Sequence, residues 1–212
     1  MELWNDLITD KSKEILFELK KSVTFVLIGG WAIWLYSQAV KSKDIDFYIN
    51  FDDFFKMQNF FLNFGLSVDF NSKLNKYEVK MEGIDIDIYT PNHCNLIVSC
   101  DDVFKKKLFK GVSEFNVVLP EVLLLLKLNA EKQRDNTIKG FKDRTDILSL
   151  IYSVEFDKKL LIKLIENYKI DLEHLRDIIK GSGKEYSYFF ENAEDLRELK
   201  KLKLSLLKKI RF

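Results

Sequence analysis

The sequence predicts an α+β fold in which a small mixed sheet with flanking helices is followed by a helical C-terminal half. One observation is that strand-like and helix-like segments alternate as far as residue 119. The other is that the pattern after Pro120 is helical, with apolar residues at helical spacing. The predicted domains are therefore an α+β domain at 1–119 and a helical domain at 120–212.

The first half opens with one or two amphipathic helices near residues 2–21. β-branched and aromatic residues from Val23 to Ile28 then predict a buried strand, which Gly29-Gly30 ends. The remaining predicted elements are a helix over Trp31–Val40, a strand over Asp44–Asn50, a helix that Asp52-Asp53 caps and Gly65 ends, a hairpin of Lys76–Met81 with Ile84–Tyr89, a short helix over Asp102–Lys107 and a strand over Phe115–Leu119.

The second half is predicted from its apolar periodicity. The stretches LPEVLLLLKLNAEKQRD and FKDRTDILSLIYS each predict one helix. Two or three further helices are predicted to carry the chain to its end, with leucines and isoleucines between Leu172 and Ile210 at helical spacing.

Composition limits the class of protein. With 47% hydrophobic and 32% charged residues, the chain of 212 residues predicts a folded globular protein. The absence of an apolar run near the ~20 residues of a membrane span, and of a signal-peptide pattern, predicts no membrane partner and a cytoplasmic location. Cys94 and Cys100 are typical of a reduced intracellular protein and form a poor metal motif.

Charge is balanced overall but concentrated at the C-terminus. The net charge of +1 does not indicate a nucleic-acid partner for the whole chain. From Arg197 to Phe212, however, seven basic residues stand against one acid. This element would suit RNA. The alternative is the solvated face of an amphipathic helix that buries Leu202, Leu206 and Ile210.

Two Asp-x-Asp motifs carry the chemistry of the first half. Asp44 and Asp46 are two residues apart on a predicted strand, so both side chains leave the same face, and Asp85 and Asp87 repeat the arrangement. Clustered carboxylates suit Mg²⁺ or Mn²⁺, and two such ions can activate an attacking oxygen and stabilise a leaving one. The alternative is the solvent face of an antiparallel sheet.

The glycine pair that precedes the first motif adds a phosphate-binding feature. A Gly29-Gly30 turn at the start of a helix exposes backbone N–H groups at the positive end of the helix dipole. Alone, it could equally be a tight turn from strand to helix. Together, the turn and the carboxylates suggest that one holds a triphosphate and the other holds its metal ions.

The stretch LIGGWAIWLYSQAVKSKDIDFYI resembles the signature of the DNA polymerase β-like nucleotidyltransferase superfamily, namely a Gly-Gly turn, a helix, an Asp-x-Asp strand and a third Asp on a later strand. The resemblance implies a nucleotidyltransferase-type sheet domain. It implies a glycine pair at Gly29 and Gly30, and metal ligands at Asp44, Asp46 and Asp87, with Asp85 as the runner-up for the third carboxylate. Trp31 stands where small residues are common, which predicts an unusual nucleotide pocket.

The helical half is similar to the AbiEii-type (abortive-infection) nucleotidyltransferases in the stretch PEVLLLLKLNAEKQRDNTIKGFKDRTDILSLI. The resemblance implies that Lys127 or Lys142 pairs with developing phosphate charge, and that Arg134, Asp143 and Asp146 belong to the nucleotide-binding set. The alternative for residues 142–146 is a solvated helix face with close-range ion pairs.

The resemblance implies an enzyme that transfers a nucleoside monophosphate from an NTP to a hydroxyl, with two Mg²⁺ or Mn²⁺ ions. Asp87 could also act as the base toward the acceptor. The acceptor could be an RNA 3′ end such as that of tRNA, a protein or a small molecule. A toxin–antitoxin or phage-defence role with a cognate partner protein is also implied. The alternative function is a catalytically silent nucleotidyltransferase fold that serves as a binding or antitoxin module.

Overall fold

A computed structural model of the protein describes residues 5–211. Its α+β class, with a mixed sheet followed by a helical half, confirms the predicted fold class. The elements in chain order are α1 (Asp6–Ser22), β1 (Val26–Ile28), α2 (Gly29–Ser37), β2 (Ile45–Tyr48), α3 (Phe51–Leu62), β3 (Asp69–Asn71), β4 (Lys76–Met81), β5 (Ile84–Tyr89), α4 (Cys100–Lys105), β6 (Phe109–Val112), β7 (Phe115–Val118), α5 (Pro120–Arg134), α6 (Ile138–Ser153), α7 (Lys158–Tyr168), α8 (Leu172–Gly181), a 3₁₀ helix (Lys184–Tyr188) and α9 (Leu196–Lys209).

The chain forms two compact units. The sheet unit contains the residues up to Leu35 together with Lys41–Leu119, and the helical unit contains Tyr36–Val40 together with the residues from Pro120 onward. Compared with the predicted domains 1–119 and 120–212, the difference is the segment Tyr36–Val40, which groups with the helical unit.

The sheet unit is organised around seven strands in the order β3-β4-β5-β2-β1-β7-β6. Strand β2 is an interior strand, parallel to β5 on one side and antiparallel to β1 on the other. Strand β1 also pairs in parallel with β7, and the remaining pairs are antiparallel, so the sheet is mixed. The side chains of Ile45, Phe47, Ile86 and Ile88 are fully buried, which fixes the register of the two central strands.

The helical unit is built from α5 to α9 and the 3₁₀ helix. Helix α5 packs on α6 and α7, α6 also packs on the 3₁₀ helix and α9, and α8 packs on α9. The three helices after α6 agree with the two or three that the apolar spacing predicts. In α9, Leu199, Leu202 and Leu206 are buried, which confirms the amphipathic interpretation of this element.

Several predicted bounds are wrong at their ends. The first strand covers Val26–Ile28 rather than Val23–Ile28, and α2 ends at Ser37. Helix α3 is capped by Asn50 rather than by Asp52-Asp53, because the Asn50 side chain accepts a hydrogen bond from the Asp53 N–H at 2.8 Å. The two aspartates instead lie in the first turn, where negative charge favours the helix dipole.

The other differences are short elements. Helix α4 starts at Cys100 behind a Ser99 cap, two residues before the predicted start at Asp102. Strands β3 and β6 were not predicted; both are edge strands of three or four exposed or half-buried residues without an apolar alternation. Residues 2–4 of the predicted N-terminal helical stretch lie outside the described residues. Within the described residues, none of the helices is long and apolar enough to cross a membrane.

Candidate active site

Gly29 and Asp46 are in direct contact at the start of α2. Gly29 has a φ of +67°, a left-handed conformation that favours glycine. A Cβ at Gly29 would lie 2.2 Å from Oδ2 of Asp46 and 2.8 Å from its Cγ. The register explains this approach, because β1 and β2 pair Ile28 with Asp46 immediately before the helix begins. The glycine therefore leaves room for a carboxylate beside the first turn of a helix.

Asp46 has a second carboxylate next to it on the neighbouring strand. Strands β2 and β5 are parallel, and Asp46 pairs directly with Asp87. Both side chains are half-buried. Asp44 lies two residues before Asp46, just ahead of β2 rather than within it. The sheet thus brings Asp46 and Asp87 together, with Asp44 at the edge of the same strand.

Asp46 and Asp87 do not lie on the solvent face of an antiparallel sheet, which was the alternative interpretation of the motifs. Strand β2 is interior, and Tyr48, which lies on the same side of the strand as Asp46, is fully buried. The Tyr48 hydroxyl donates a hydrogen bond to the Val98 carbonyl at 2.6 Å. A half-buried carboxylate on such a face needs compensation by cations or hydrogen bonds.

Asp85, the runner-up for the third carboxylate, lies in a different environment. It is exposed and pairs across the sheet with Lys80, whose Nζ lies 3.7 Å from its carboxylate. Asp87 is the member of the motif that lies beside Asp46. The geometry therefore favours Asp87 over Asp85 as a partner of Asp46.

Lys76 is a member of the site that the sequence did not indicate. Its Nζ lies 2.5 Å from Oδ2 of Asp87 and 2.9 Å from Oε1 of Glu78, and the residue is 8% exposed. Glu78 stands directly opposite Asp87 in the β4–β5 pair, so Lys76 neutralises two facing acids. Burial acts to lower the pKa of Lys76, but the hydrogen bonds to Asp87 and Glu78 outweigh it and the pKa is raised.

The pKa of the Asp87 carboxyl is raised above its usual value. Burial raises the pKa of the Asp87 carboxyl, and repulsion from Glu78 and Asp44 adds to the effect, while Lys76 opposes it. A cation bound at Asp87 would relieve the repulsion from its acidic neighbours and compensate the cost of burying the carboxylate.

The aspartates of the site have the chemistry of a site for Mg²⁺ or Mn²⁺. The donor set of aspartate oxygens is the one that these ions prefer. Within residues 5–211, no three His, Cys, Asp or Glu side chains are close enough together to hold a metal ion as they stand. The ammonium of Lys76 contacts Asp87 in this arrangement. The donor chemistry fits a divalent ion. Lys76 contacts only Oδ2 of Asp87, so a metal ion would bind either through Oδ1 or in exchange for Lys76.

Gly30 and Trp31 form the first turn of α2 behind Gly29. Gly30 is buried. The Trp31 indole is 1% exposed, and its Nε1 donates a hydrogen bond to Ser12 Oγ of α1 at 2.8 Å. The bulky residue that stands where small residues are common is therefore packed against α1 in the interior of the sheet unit.

The candidate residues of the helical unit form a buried ion-pair cluster. Lys127 Nζ lies 2.9 Å from Asp143 and 2.6 Å from Asp146. Arg134 Nε lies 2.6 Å from Asp143, and Lys142 Nζ lies 2.9 Å from Asp146. All except Arg134 are at most 7% exposed, so the predicted alternative of a solvated helix face is wrong.

The pKa values in this cluster follow from burial and close pairing. Burial acts to lower the pKa of Lys127, but the attraction of Asp146 and Asp143 outweighs it and the pKa is raised. Burial lowers the pKa of Lys142, and repulsion by Lys127 adds to this effect. Burial alone would raise the pKa of Asp143, but Lys127 and Arg134 hold it below its usual range. The two aspartates therefore stabilise the charged form of Lys127, whereas burial and Lys127 together disfavour the charged form of Lys142.

The basic C-terminal element is partly used within the helical unit. Lys203 Nζ donates to the carbonyls of Lys180 and Ser182 at 2.8 and 2.6 Å. Lys209 Nζ donates to the carbonyls of Ile151, Tyr152 and Val154, each at 3.2 Å. Two of the seven basic side chains thus hold other helices, and RNA binding by the element stays a prediction.

The chain shares its fold with a protein of known structure. No protein-family model matches the chain, and no curated protein matches it. Among solved structures, JHP933 from Helicobacter pylori is 14% identical with a TM-score of 0.55, over 97% of this chain and 94% of that chain. This similarity shows a common fold along nearly the full length of both chains.

A second solved structure is more distant. It is described as an antigenic nucleotidyltransferase-like protein from Paracoccidioides brasiliensis, is 15% identical with a TM-score of 0.40, and covers 80% of this chain and 89% of that chain. The description belongs to that protein, and nothing about this chain follows from so loose a similarity. The resemblance to AbiEii-type enzymes stays a prediction from the sequence motifs.

Proposed function

We propose that this chain is a metal-dependent nucleotidyltransferase that transfers a nucleoside monophosphate from an NTP to a hydroxyl. The observation that carries the proposal is the contact of the Asp46 carboxylate with Gly29 at the first turn of α2, together with the pairing of Asp46 and Asp87. A phosphate-binding helix start and a pair of carboxylates beside it are the two features that the reaction requires.

In the proposed reaction, an acceptor oxygen forms a bond to the α-phosphorus of the NTP. The bond from that phosphorus to the bridging oxygen breaks, pyrophosphate leaves, and the acceptor proton passes to a base. The backbone N–H groups of the turn at Gly29 and Gly30 hold phosphate oxygens. Asp44, Asp46 and Asp87 are the residues that would hold Mg²⁺ or Mn²⁺, which would neutralise phosphate charge when bound.

Asp87 is the proposed base. Its pKa is raised by burial, which increases its affinity for the acceptor proton relative to an exposed aspartate. The roles of Lys127, Lys142, Arg134, Asp143 and Asp146 toward the nucleotide stay predictions from the resemblance, as do the RNA, protein or small-molecule acceptor and the toxin–antitoxin partner.

The test is incubation of the purified chain with Mg²⁺ or Mn²⁺ and each of the four labelled NTPs, with and without total cellular RNA. We expect label on RNA or on protein for at least one NTP, and loss of the label in Asp87→Asn. Asp85→Asn is the matched control, because it removes the same charge two residues away on an exposed position. Equal loss in both variants would contradict the assignment of Asp87.

A catalytically silent module is the second candidate, and the Lys76–Asp87 ion pair favours it. A permanent ammonium on Asp87 would satisfy the carboxylate without a metal ion. The two candidates differ in what the wild-type chain does with Mn²⁺ and an NTP: an enzyme must bind the metal ion beside Lys76 or in its place, whereas a silent module need not bind one.

Calorimetric titration of Mn²⁺ in the presence of a non-hydrolysable NTP separates these candidates. For the enzyme, we expect the wild type to bind and Lys76→Met to bind about tenfold more tightly, because the competing ammonium is gone. Lys80→Met is the control, since its ammonium faces Asp85 and is exposed. Binding by Lys76→Met alone, with none by the wild type, would support the silent module.

A further inference from the structure

Helix α3 of the sheet unit has two apolar faces, although a helix at the surface of a globular protein needs only one. The first face is buried in the core of the sheet unit and consists of Phe54, Met57 and Phe61. The second face contains Phe51, Phe55 and Leu62, whose exposed fractions are 41, 63 and 62%. At 3.6 residues per turn, the two faces lie about 100° apart around the helix. The second face is therefore not part of the core of the sheet unit.

The exposed face has the spacing of a helix-pairing seam. Its members follow one another at intervals of four, three and four residues and are Phe51, Phe55, Gln58 and Leu62, called here the α3 stripe. This alternation keeps apolar residues facing one partner helix along its length. None of the four side chains is charged, and charged residues are depleted at the centre of protein interfaces. The α3 stripe thus has the pattern of a surface that packs on another helix.

The α3 stripe is complementary to a second copy of itself, because its positions are symmetric about the midpoint of the helix. In an antiparallel pair with a two-fold axis beside that midpoint, Phe51 lies opposite Leu62 of the partner subunit. Phe55 likewise lies opposite Gln58 of the partner subunit. Each phenylalanine then meets a smaller side chain, which allows the two stripes to interdigitate. The antiparallel arrangement also sets the positive end of each helix dipole beside the negative end of the other.

A chain of aromatic contacts continues the α3 stripe onto the edge of the sheet. The ring centroids of Phe55 and Phe54 are 6.3 Å apart, and those of Phe54 and Tyr77 are 4.5 Å apart. The Tyr77 ring in turn lies 4.9 Å from the ring of Phe70. Phe70 belongs to the edge strand β3 and is 43% exposed. The exposed apolar surface therefore extends beyond the helix.

The exposed apolar area is sufficient for a dimer. At about 150–200 Å² for a side chain of this size, the three apolar residues of the α3 stripe and Phe70 leave about 400 Å² in contact with water. Two copies contribute about 800 Å², and since homodimer interfaces are about 65% apolar, the whole interface would cover about 1,200 Å². This area is at the lower end of the range of about 1,200–2,000 Å² that stable interfaces bury.

We propose that the chain forms a two-fold symmetric homodimer in which the α3 stripes of two copies pack antiparallel. The dimer goes beyond the proposed function and is tested without a nucleotide or a metal ion. The contact uses the same patch on both copies, which closes the assembly at two subunits.

The first test is sedimentation of the purified full chain at concentrations of about 1–200 µM. We expect the mass to rise with concentration from 25.1 kDa toward twice that value. Phe55→Glu should weaken dimerisation at least about a hundredfold, because it places an unpaired carboxylate at the centre of the interface once per subunit. Leu204→Glu is the control: it replaces an apolar residue of α9 that is 53% exposed, and it should leave the dimer intact.

Folding of the Phe55→Glu chain is checked by circular dichroism. Because the Phe55 side chain is mostly exposed, we expect the helical signal of the wild type to be retained. A monomer with the wild-type helical signal has lost the interface and not the fold.

The second test concerns the antiparallel geometry and uses opposite charges at the two ends of the α3 stripe. Phe51→Glu and Leu62→Lys should each weaken dimerisation when alone. An equimolar mixture of the two variants should form a heterodimer, because the new carboxylate lies opposite the new ammonium only in the antiparallel pair.

The proposal is overturned if the wild type has the mass of one chain at every concentration, in which case a second copy does not cover the α3 stripe. It is also overturned if Phe55→Glu and Leu204→Glu change the association equally, or if the mixture of Phe51→Glu and Leu62→Lys stays monomeric. These outcomes do not depend on whether the chain transfers nucleotides.

Discussion

The two units differ in the number of cations that contact each aspartate. In the sheet unit, one ammonium, that of Lys76, is shared by two acids, Asp87 and Glu78. In the helical unit, each aspartate of the cluster contacts two cations: Asp143 contacts Lys127 and Arg134, and Asp146 contacts Lys127 and Lys142. Both aspartates of the helical unit are 1% exposed, whereas Asp87 is half-buried.

The difference indicates that Asp87 in the sheet unit can still accept a cation, whereas the two aspartates of the helical cluster already contact two cations each. Partial exposure of Asp87 leaves it within reach of a ligand, and the Lys76 ammonium contacts only one of its two carboxylate oxygens. In the helical cluster, an exchange would leave a charge buried without its partner, which is strongly unfavourable. We therefore infer that the helical cluster mainly holds α5 to α6. Under the proposed function, the sheet cluster is the one that would accept a metal ion.

The largest expected effect on the free energy of unfolding is that of Lys127→Met, which tests whether the helical cluster is structural. The change leaves Asp143 and Asp146 buried with one cation fewer each, and we expect a loss of about 3–5 kcal/mol in the free energy of unfolding. Lys132→Met in the same helix is the control, because its side chain is 64% exposed and 4.0 Å from Asp171. Its loss should be at most about 1 kcal/mol. Chemical denaturation followed by helical circular dichroism measures both, and equal stabilities would show that the cluster is not structural.

A smaller effect is expected at the glycine that contacts Asp46. Gly29→Ala adds a Cβ 2.2 Å from the carboxylate at a φ of +67°, so it combines backbone strain with a displaced Asp46. Gly83→Ala is the matched control, because its φ is +83° but nothing lies within 4 Å of the added Cβ.

We expect Gly29→Ala to cost about 1–3 kcal/mol more than Gly83→Ala in the free energy of unfolding, since only the first overpacks its surroundings. Thermal and urea unfolding of both variants give the difference. Under the proposed function, Gly29→Ala should also lose nucleotidyl transfer while Gly83→Ala keeps it. Similar stability of the two variants would mean that Asp46 moves aside freely and that the carboxylate is not fixed by the turn.

The predictable part of the site is its local part. The glycine turn and the Asp-x-Asp motif are close in sequence, and the strand pattern locates Asp46, although Asp44 lies just ahead of the strand. The choice between Asp85 and Asp87 depends on the register of β5 with β2 and on the presence of Lys80 across the sheet. Those facts are long-range, so the sequence could only favour Asp87 by resemblance.

The contacts of lysines were the least predictable feature. Lys76 begins a strand, where a lysine is usually solvated, and nothing local indicates that its ammonium turns to Asp87. Lys142 and Asp146 are spaced as an exposed helical ion pair, but α5 packs over them and brings Lys127 into contact. Burial by a neighbouring element changed a surface pattern into an internal cluster. Strands β3 and β6 were missed for a related reason, because pairing rather than sequence defines such short edges.

The smallest expected effect is that of an Arg134 substitution on the stability of the helical unit toward acid. The pKa of Asp143 is held below its usual value by Lys127 and Arg134 against the effect of burial. Because the folded pKa lies below the unfolded value of about 3.9, this carboxylate contributes stability above that pH and loses it as the pH falls through the folded pKa.

Arg134→Gln removes one of the two cations, so the folded pKa of Asp143 should rise toward its unfolded value and the acid-induced loss of helix should begin at a higher pH. Arg176→Gln is the control, because Arg176 pairs with Glu173 and is not part of the cluster. Circular dichroism between pH 2 and 5 measures the midpoint for each variant. If both variants shift alike, the effect comes from net charge, and Asp143 is not held in its charged form by this pair. If the midpoint shifts only in Arg134→Gln, Arg134 is one of the cations that keep Asp143 charged in the folded chain.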